Sequence, residues 1–505
     1  MHSSDATRRR AAASANGNGI AHEVLVESGG EVTVSKPRRL ATKKRGIRRN
    51  TPITCLCINV ILSTAGLGLI IAGLIRRSLR RQIPNAFERK LPRINPNFQK
   101  DDTHERTPQE NHYKPKLNPQ DVGDKSPRFQ QILREFKQLF PPDAENDRLR
   151  LEWIDSIRPH TYRPIEVSPG RAFDNELDCP DHPTGDYPRA YPTIDIINHW
   201  NPDEVTPPPD GSIYQGICVF DYNKPGHLAK AHNYREAEVP FVMRNDPTVL
   251  RSVQRWNHPA YLKRVLEGEE HRAEFSHDNH FMYWQHPRNK QMQRMAKQAG
   301  WKPPTDMQTM TYQLWLDHAN ATNVEQLPNE SDHWYFRLIG CGGFENCDKY
   351  MSEWLFDDLD FFFPRESLYI VKPDAQKGIH CRFGMKGVIA ENHFDGSRNS
   401  IVVLGGERRY ILSHPKECTN LALLPKGHPS ARHSAVDWSN PDLHQYPQFS
   451  QAKSNEIVLQ AGDVFYLPTN WFHYIVSLGL NFQCNTRSGI SSHYMQPIEE
   501  CGFAI

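Results

Sequence analysis

From about residue 399 the chain falls into short apolar runs, each closed by turn formers. Ser400-Ile401-Val402-Val403-Leu404 stops at Gly405-Gly406 and is followed by Glu407-Arg408-Arg409-Tyr410-Ile411-Leu412. Asn455-Glu456-Ile457-Val458-Leu459-Gln460 stops at Ala461-Gly462-Asp463, and Val464-Phe465-Tyr466-Leu467-Pro468 leads on to Trp471-Phe472-His473-Tyr474-Ile475-Val476. Runs of this length and composition predict the strands of a sandwich or barrel. Upstream the period changes. Ser126 and Pro127 suit a helix start, and Phe129, Ile132, Leu133, Phe136, Leu139 and Phe140 form one apolar stripe that Pro141-Pro142 ends. Glu238 to Arg244 looks extended, Asp246-Pro247 caps a helix carrying Val249, Leu250, Val253 and Trp256, another helix begins near Pro259, and one more spans Thr309 to His318. The expected fold is mainly β with α additions, an α-rich region preceding the strands.

The N-terminal quarter has a different texture. Residues 50–75 carry no charge, and Arg76, Arg77, Arg80 and Arg81 follow at once. A run of that length meets the requirement of about 20 residues for a bilayer span, and it is too long and too far from the start for a cleaved signal peptide. Residues 1–50 hold eleven Lys/Arg against four Asp/Glu and few large apolar residues, which reads as a disordered basic tail. The expected order is therefore tail 1–50, transmembrane helix 51–75, polar Pro-containing stem 76–125, first globular part 126–235 and catalytic domain 236–505, with its strand core at about 380–490. Positive charge flanks the span on both sides and leaves its orientation nearly undecided. The two acceptors Asn320-Ala321-Thr322 and Asn329-Glu330-Ser331, read as one polar loop, favour a lumenal C-terminal part, as do eight cysteines after the span. Cys341 and Cys347 suit a local disulfide, whereas Cys381 and Cys484 read as ordinary core residues. The expectation is a single-pass type II membrane protein of the secretory pathway (endoplasmic reticulum or Golgi). Net charge is only +2, so nothing global argues for a nucleic-acid partner.

Candidate chemistry concentrates at Asn392-His393-Phe394-Asp395 and at His473. On a strand, residues two apart point the same way, so His393 and Asp395 share a face. His473 lies 78 residues beyond Asp395 in another strand-like run. Two imidazoles and one carboxylate, with coordination positions left open, form the set used by non-haem Fe(II) oxygenases. Of the other histidines, His380, His414, His428 and His433 read as surface or turn residues.

The run from about Glu236 to Gly489 resembles the JmjC and cupin-like branch of the Fe(II)/2-oxoglutarate dioxygenases, and within it the asparaginyl hydroxylases that act on the hypoxia-inducible factor. The matching pieces are Gly384-Met385-Lys386-Gly387, the pair His393 and Asp395, Asn399, Gly406-Glu407-Arg408-Arg409-Tyr410-Ile411-Leu412, Asp437-Trp438-Ser439-Asn440-Pro441-Asp442, the Ala461-Gly462-Asp463-Val464 turn and His473. The resemblance implies a double-stranded β-helix, or jelly-roll, whose mouth holds iron through His393, Asp395 and His473. It implies 2-oxoglutarate as cosubstrate and dioxygen as oxidant. Relatives offer a lysine fifteen positions after the first histidine for the far carboxylate of 2-oxoglutarate; here Arg408 stands there. Arginine can pair a carboxylate bidentately, and alternation along the strand sets Arg408 and Arg409 on opposite faces. Asn399, Asn485 and Tyr335 match positions that line the cosubstrate pocket, and Ala390 stands where relatives have a contacting threonine.

The expected function is a membrane-anchored Fe(II)/2-oxoglutarate oxygenase that hydroxylates a protein or peptide side chain. A non-catalytic cupin-like binding module and a JmjC-type protein demethylase are the alternatives.

Overall fold

The computed structural model describes residues 122–503, apart from short stretches at 168–169, 287–289, 291–292, 295–296, 298–299, 325–327 and 342–351. The chain divides into the units Met1–Pro108 and Gln109–Ile505, and every described residue lies in the second. The expected tail, the expected span 51–75 and the stem as far as residue 121 lie outside the described residues. Among the described residues no helix is long and apolar enough to cross a membrane. The placement as a type II membrane protein is corrected on that finding.

Fifteen strands make up two facing sheets. In chain order they are β1 (Tyr191–Pro192), β2 (Val219–Asp221), β3 (Phe241–Arg244), β4 (Glu270–Ser276), β5 (His280–Phe281), β6 (Asp306–Thr311), β7 (His333–Gly340) and β8 (Gln376–Gly384). After them come β9 (Ile389–Phe394), β10 (Asn399–Gly405), β11 (Glu407–Ser413), β12 (Lys453–Gln460), β13 (Val464–Leu467), β14 (Phe472–Ser477) and β15 (Asn481–Ser488). The larger sheet runs β2-β3-β13-β10-β15-β8-β7-β4-β6, and the smaller runs β1-β12-β11-β14-β9-β5. The interleaving of β8 to β15 between the sheets is that of a jelly-roll. The product is mainly β with helices, as the runs of strand formers predict.

Both faces of each sheet are covered, which is why the core strands read as continuous apolar runs rather than alternating ones. Ile401, Val403, Leu412, Ile457, Leu459, Phe465 and Ile475 fill the space between the sheets. Val402 and Leu404, on the opposite face of β10, join a cluster with Trp256, Phe336 and Phe383 behind the larger sheet. Helix α1 (Pro127–Leu139) packs there through Phe129, Ile132, Leu133 and Phe136, with Ser126 accepting from the Phe129 N–H at its start. Leu139, assigned to that stripe from its spacing, is 60% exposed. Helix α2 (Pro247–Trp256) falls where its Asp246 cap places it, and α3 (Tyr261–Val265) starts two residues after Pro259 without a side-chain cap. Helix α4 (Tyr312–Val324) starts later than its pattern suggests, because Thr309 to Thr311 pair with β4 in β6. Asn320 accordingly sits on a helix, not in a loop.

Three disulfides join Cys179 to Cys218, Cys381 to Cys484 and Cys418 to Cys501, and Cys341 is also disulfide-bonded. Cys381 and Cys484, read from sequence as plain core residues, lie directly opposite each other on β8 and β15.

Candidate metal centre and its cavity

At the open end of the jelly-roll, β9 and β14 run antiparallel with His393 directly opposite His473. Asp395 follows two residues after His393. One ligand atom from each of His393, Asp395 and His473 falls within 4.8 Å of the others, a grouping able to hold one metal ion. Local backbone sets the ring orientation. Nδ1 of His393 lies 2.7 Å from the Glu391 carbonyl and Nδ1 of His473 lies 3.1 Å from the Trp471 carbonyl, each two residues upstream. A carbonyl only accepts, so each Nδ1 must carry the hydrogen, and each Nε2 keeps a lone pair for a metal.

Charge follows the same logic. Burial, with His473 and His433 nearby, holds the His393 imidazole well below its ordinary pKa, and burial likewise lowers His473. Burial pushes the Asp395 carboxyl up, but Arg487 and the two imidazoles outweigh it and hold the acid below its usual range. Arg487 donates to one Asp395 oxygen at 2.7 Å. Neutral imidazoles and an ionised carboxylate are the protonation states that coordination needs, so the residues present fit a divalent metal.

The centre opens into a cavity of about 620 Å³ between the sheets. Tyr335, Asn399 and Asn485 line it. Asn485 Nδ2 donates to Asn399 Oδ1 at 2.8 Å, leaving the other end of each amide for a ligand. The Tyr335 hydroxyl accepts from Arg408 Nη1 at 2.7 Å and keeps its own proton to give. Ala390 lines the wall as well.

Arg408 itself is placed differently from the expectation. It is fully buried and is not among the lining residues. Its guanidinium donates to Asn481 Oδ1, the Tyr335 hydroxyl, Gln483 Oε1 at 2.9 Å and the Arg382 carbonyl at 3.0 Å. Four of its five N–H groups are thus taken by protein acceptors, and in this arrangement it holds Tyr335 and Gln483 in the wall. Gly384 makes room for it: a Cβ there would come within 3.1 Å of Arg408 Nη2. Arg409 faces the other way, as alternation predicts, and pairs with buried Glu456 at 2.6 Å.

Several lining residues were misread or unnoticed in the sequence: His380 and His433, read as surface or turn residues, both line the cavity, His380 from strand β8. His433 is buried, stacks on His393 at 5.0 Å between ring centroids, and has its pKa lowered to about 4 by burial. It arrives from the 413–455 loop, and no short spacing ties it to the triad. Arg337, Arg382 and Arg487 do leave a trace. Each occupies an inward position two residues from another cavity residue: Tyr335 with Arg337, His380 with Arg382, Asn485 with Arg487. Polar residues alternating with apolar ones inside a core strand were the available signal.

A sequence profile described as a cupin-like domain matches residues 228–493, more than half of the 505-residue chain. The chain belongs to this family. The cupin-like domain is similar to Lysine-specific demethylase JMJ31 of Arabidopsis thaliana, 31% identical over 130 residues, covering 24% of each chain. It is also similar to tRNA wybutosine-synthesizing protein 5 of Homo sapiens, 35% identical over 96 residues, covering 19% of this chain and 29% of the relative. Lysine-specific demethylase 8 of Xenopus tropicalis is 35% identical over 109 residues, 21% of this chain and 23% of the relative. The chain thus spans about a quarter of the length of these relatives.

Proposed function

We propose that this cupin-like protein is an Fe(II)/2-oxoglutarate-dependent oxygenase that hydroxylates a side chain of a protein or peptide. The observation that carries the reading is the convergence of two neutral imidazoles and one carboxylate on a single point beside a cavity. That donor set suits ferrous iron and leaves positions for other ligands. When bound, iron with 2-oxoglutarate and dioxygen supplies the power to oxidise an unactivated C–H bond.

The chain's own residues do the positioning. His393 and His473 present Nε2 because the carbonyls of Glu391 and Trp471 hold Nδ1–H. Arg487 orients Asp395 and keeps it ionised. Tyr335 has a hydroxyl proton directed by Arg408's donation, suited to a carboxylate of the cosubstrate. Phe281, Phe394, Ile401 and Ile475 give the cavity apolar wall that limits water. A protein side chain as substrate draws support from the two relatives whose names make them lysine-specific demethylases.

The deciding measurement is release of succinate from 2-oxoglutarate by the full-length protein with ferrous iron and ascorbate. Wild type is expected to form succinate while His393→Ala loses iron and forms essentially none. Equal background from both proteins would overturn the oxygenase reading in favour of a binding module.

A further inference from the structure

The cavity carries more positive charge than its own acids balance. Arg337, Lys377, Arg382, Arg432 and Arg487 line it, against the carboxylates of Glu274 and Asp395. Both acids are engaged: Glu274 lies 2.7 Å from Arg337 Nη1, and Asp395 is held by Arg487. Arg382 has no carboxylate partner among the described residues. Its side chain makes one hydrogen bond among the described residues, a 3.5 Å approach to the Cys381 carbonyl at the outer limit for such a bond, and the acid that acts on its charge, Glu274, is already paired with Arg337.

The sheet places this charge awkwardly. Arg382 on β8 is directly opposite Arg337 on β7, so the two side chains leave the same face a strand apart. Like charges in that arrangement repel. Nε of Arg337 is buried with no hydrogen-bond partner. Burial, then the Arg337 charge, lowers the pKa of Arg382 to about 10. Tyr335 stands two residues before Arg337 on the same face and offers its hydroxyl to the same space. Two guanidiniums and a phenol meet one another with a single carboxylate among them.

We propose that the Arg337–Arg382 pair, with the Tyr335 hydroxyl, is a built site for an anionic oxygen group, a carboxylate or phosphate, of a molecule bound in the cavity. Arg382, not Arg408, is the cation that meets it. The assignment rests on the oxygenase reading for its first source, the far carboxylate of 2-oxoglutarate; the second source is an anionic group on the substrate.

Full-length protein loaded with Mn(II), a redox-silent stand-in for iron, separates the sources by calorimetry with three probes. These are 2-oxoglutarate, 2-oxobutyrate, which keeps the chelating end but lacks the far carboxylate, and inorganic phosphate. Wild type is expected to bind 2-oxoglutarate at least tenfold more tightly than 2-oxobutyrate. Arg382→Met should erase that preference with 2-oxobutyrate and Mn(II) affinities unchanged, and Arg382→Lys should restore part of it. If the preference survives in Arg382→Met while phosphate affinity of the Mn(II)- and 2-oxoglutarate-loaded protein drops tenfold, the site stands and its anion belongs to the substrate. If neither affinity depends on Arg382, the proposal is overturned. Thermal melting without ligand separates an anion site from a structural role. Relief of like-charge repulsion predicts that Arg382→Met melts no lower than wild type, and a lower midpoint would refute the site. Should Mn(II)-loaded wild type bind neither keto acid, the oxygenase reading fails, and phosphate binding still tests the pair.

Discussion

Arg408 and Arg382 touch, since a guanidinium nitrogen of the first donates to the backbone carbonyl of the second, yet they live in opposite circumstances. Arg408 is sealed, and its donors meet Asn481, Tyr335, Gln483 and the Arg382 carbonyl. Arg382 faces a cavity with another arginine across the ladder and no acid of its own. A buried cation surrounded by protein acceptors is part of the scaffold, because removing it strands those acceptors. One that lacks them is a deficit the fold tolerates, and tolerance makes sense where a visiting molecule supplies what is missing. Position in a motif would have assigned the roles the other way round.

Three changes would break or sharpen that contrast. The largest effect is expected at the disulfide behind the arginine wall, Cys381–Cys484, which ties β8 to β15 across a sequence separation of 103 residues. On the chain-entropy account a loop of this size is worth roughly 5 kcal/mol, so the double variant Cys381→Ala, Cys484→Ala should lose up to that much in urea unfolding. Next comes Arg408→Met. Stranding several buried acceptors should destabilise by on the order of 3 kcal/mol, whereas the matching change at Arg382 should not. A small loss at Arg408 would erase the distinction between the two arginines.

The smallest effect tests the distinction from the other side. His271 lies on the outer face of the larger sheet, 2% exposed, against Phe336, and neither ring nitrogen has a hydrogen-bond partner. It does not line the cavity, so its deficit serves no ligand there and is simply unfavourable; its charged neighbour is the half-exposed Glu269, 3.6 Å from Nε2. His271→Leu should stabilise by about 1 kcal/mol at pH 7 and leave keto-acid binding unchanged. Burial lowers its pKa to about 4 from an ordinary 6.5. The unfolded chain therefore takes up the proton first as pH falls, and wild type loses stability between about pH 6.5 and 4. The advantage of His271→Leu should widen over that window, read as the gap in unfolding midpoints, and a constant gap would contradict the assigned titration.

Much of this was legible beforehand, for identifiable reasons. The strands from Asn399 to Val476 could be read because β-branched and aromatic runs alternate with Gly, Pro and Asp turns, a local code. The triad was legible because His393 and Asp395 share a strand face and His473 follows on a run of the same kind. What could not be read depends on pairing across the sheets. Cys381 meets Cys484, and Arg382 meets Arg337, only through the register of β8 with its two neighbours. His433 joins the centre from a long loop whose path no periodicity encodes. The protein partners of Arg408 were equally hidden, since spacing reveals which face a residue takes and not what occupies its donors.

The burial of this triad has a consequence beyond geometry. A divalent ion arriving at this centre finds rings that hold no surplus hydrogen ion and an acid that has already given its own away. Capture therefore sheds no acid into the surroundings near neutrality, and the grip on the ion stays level across that range instead of rising with alkalinity, as it must wherever a thiol or a charged ring has first to be stripped.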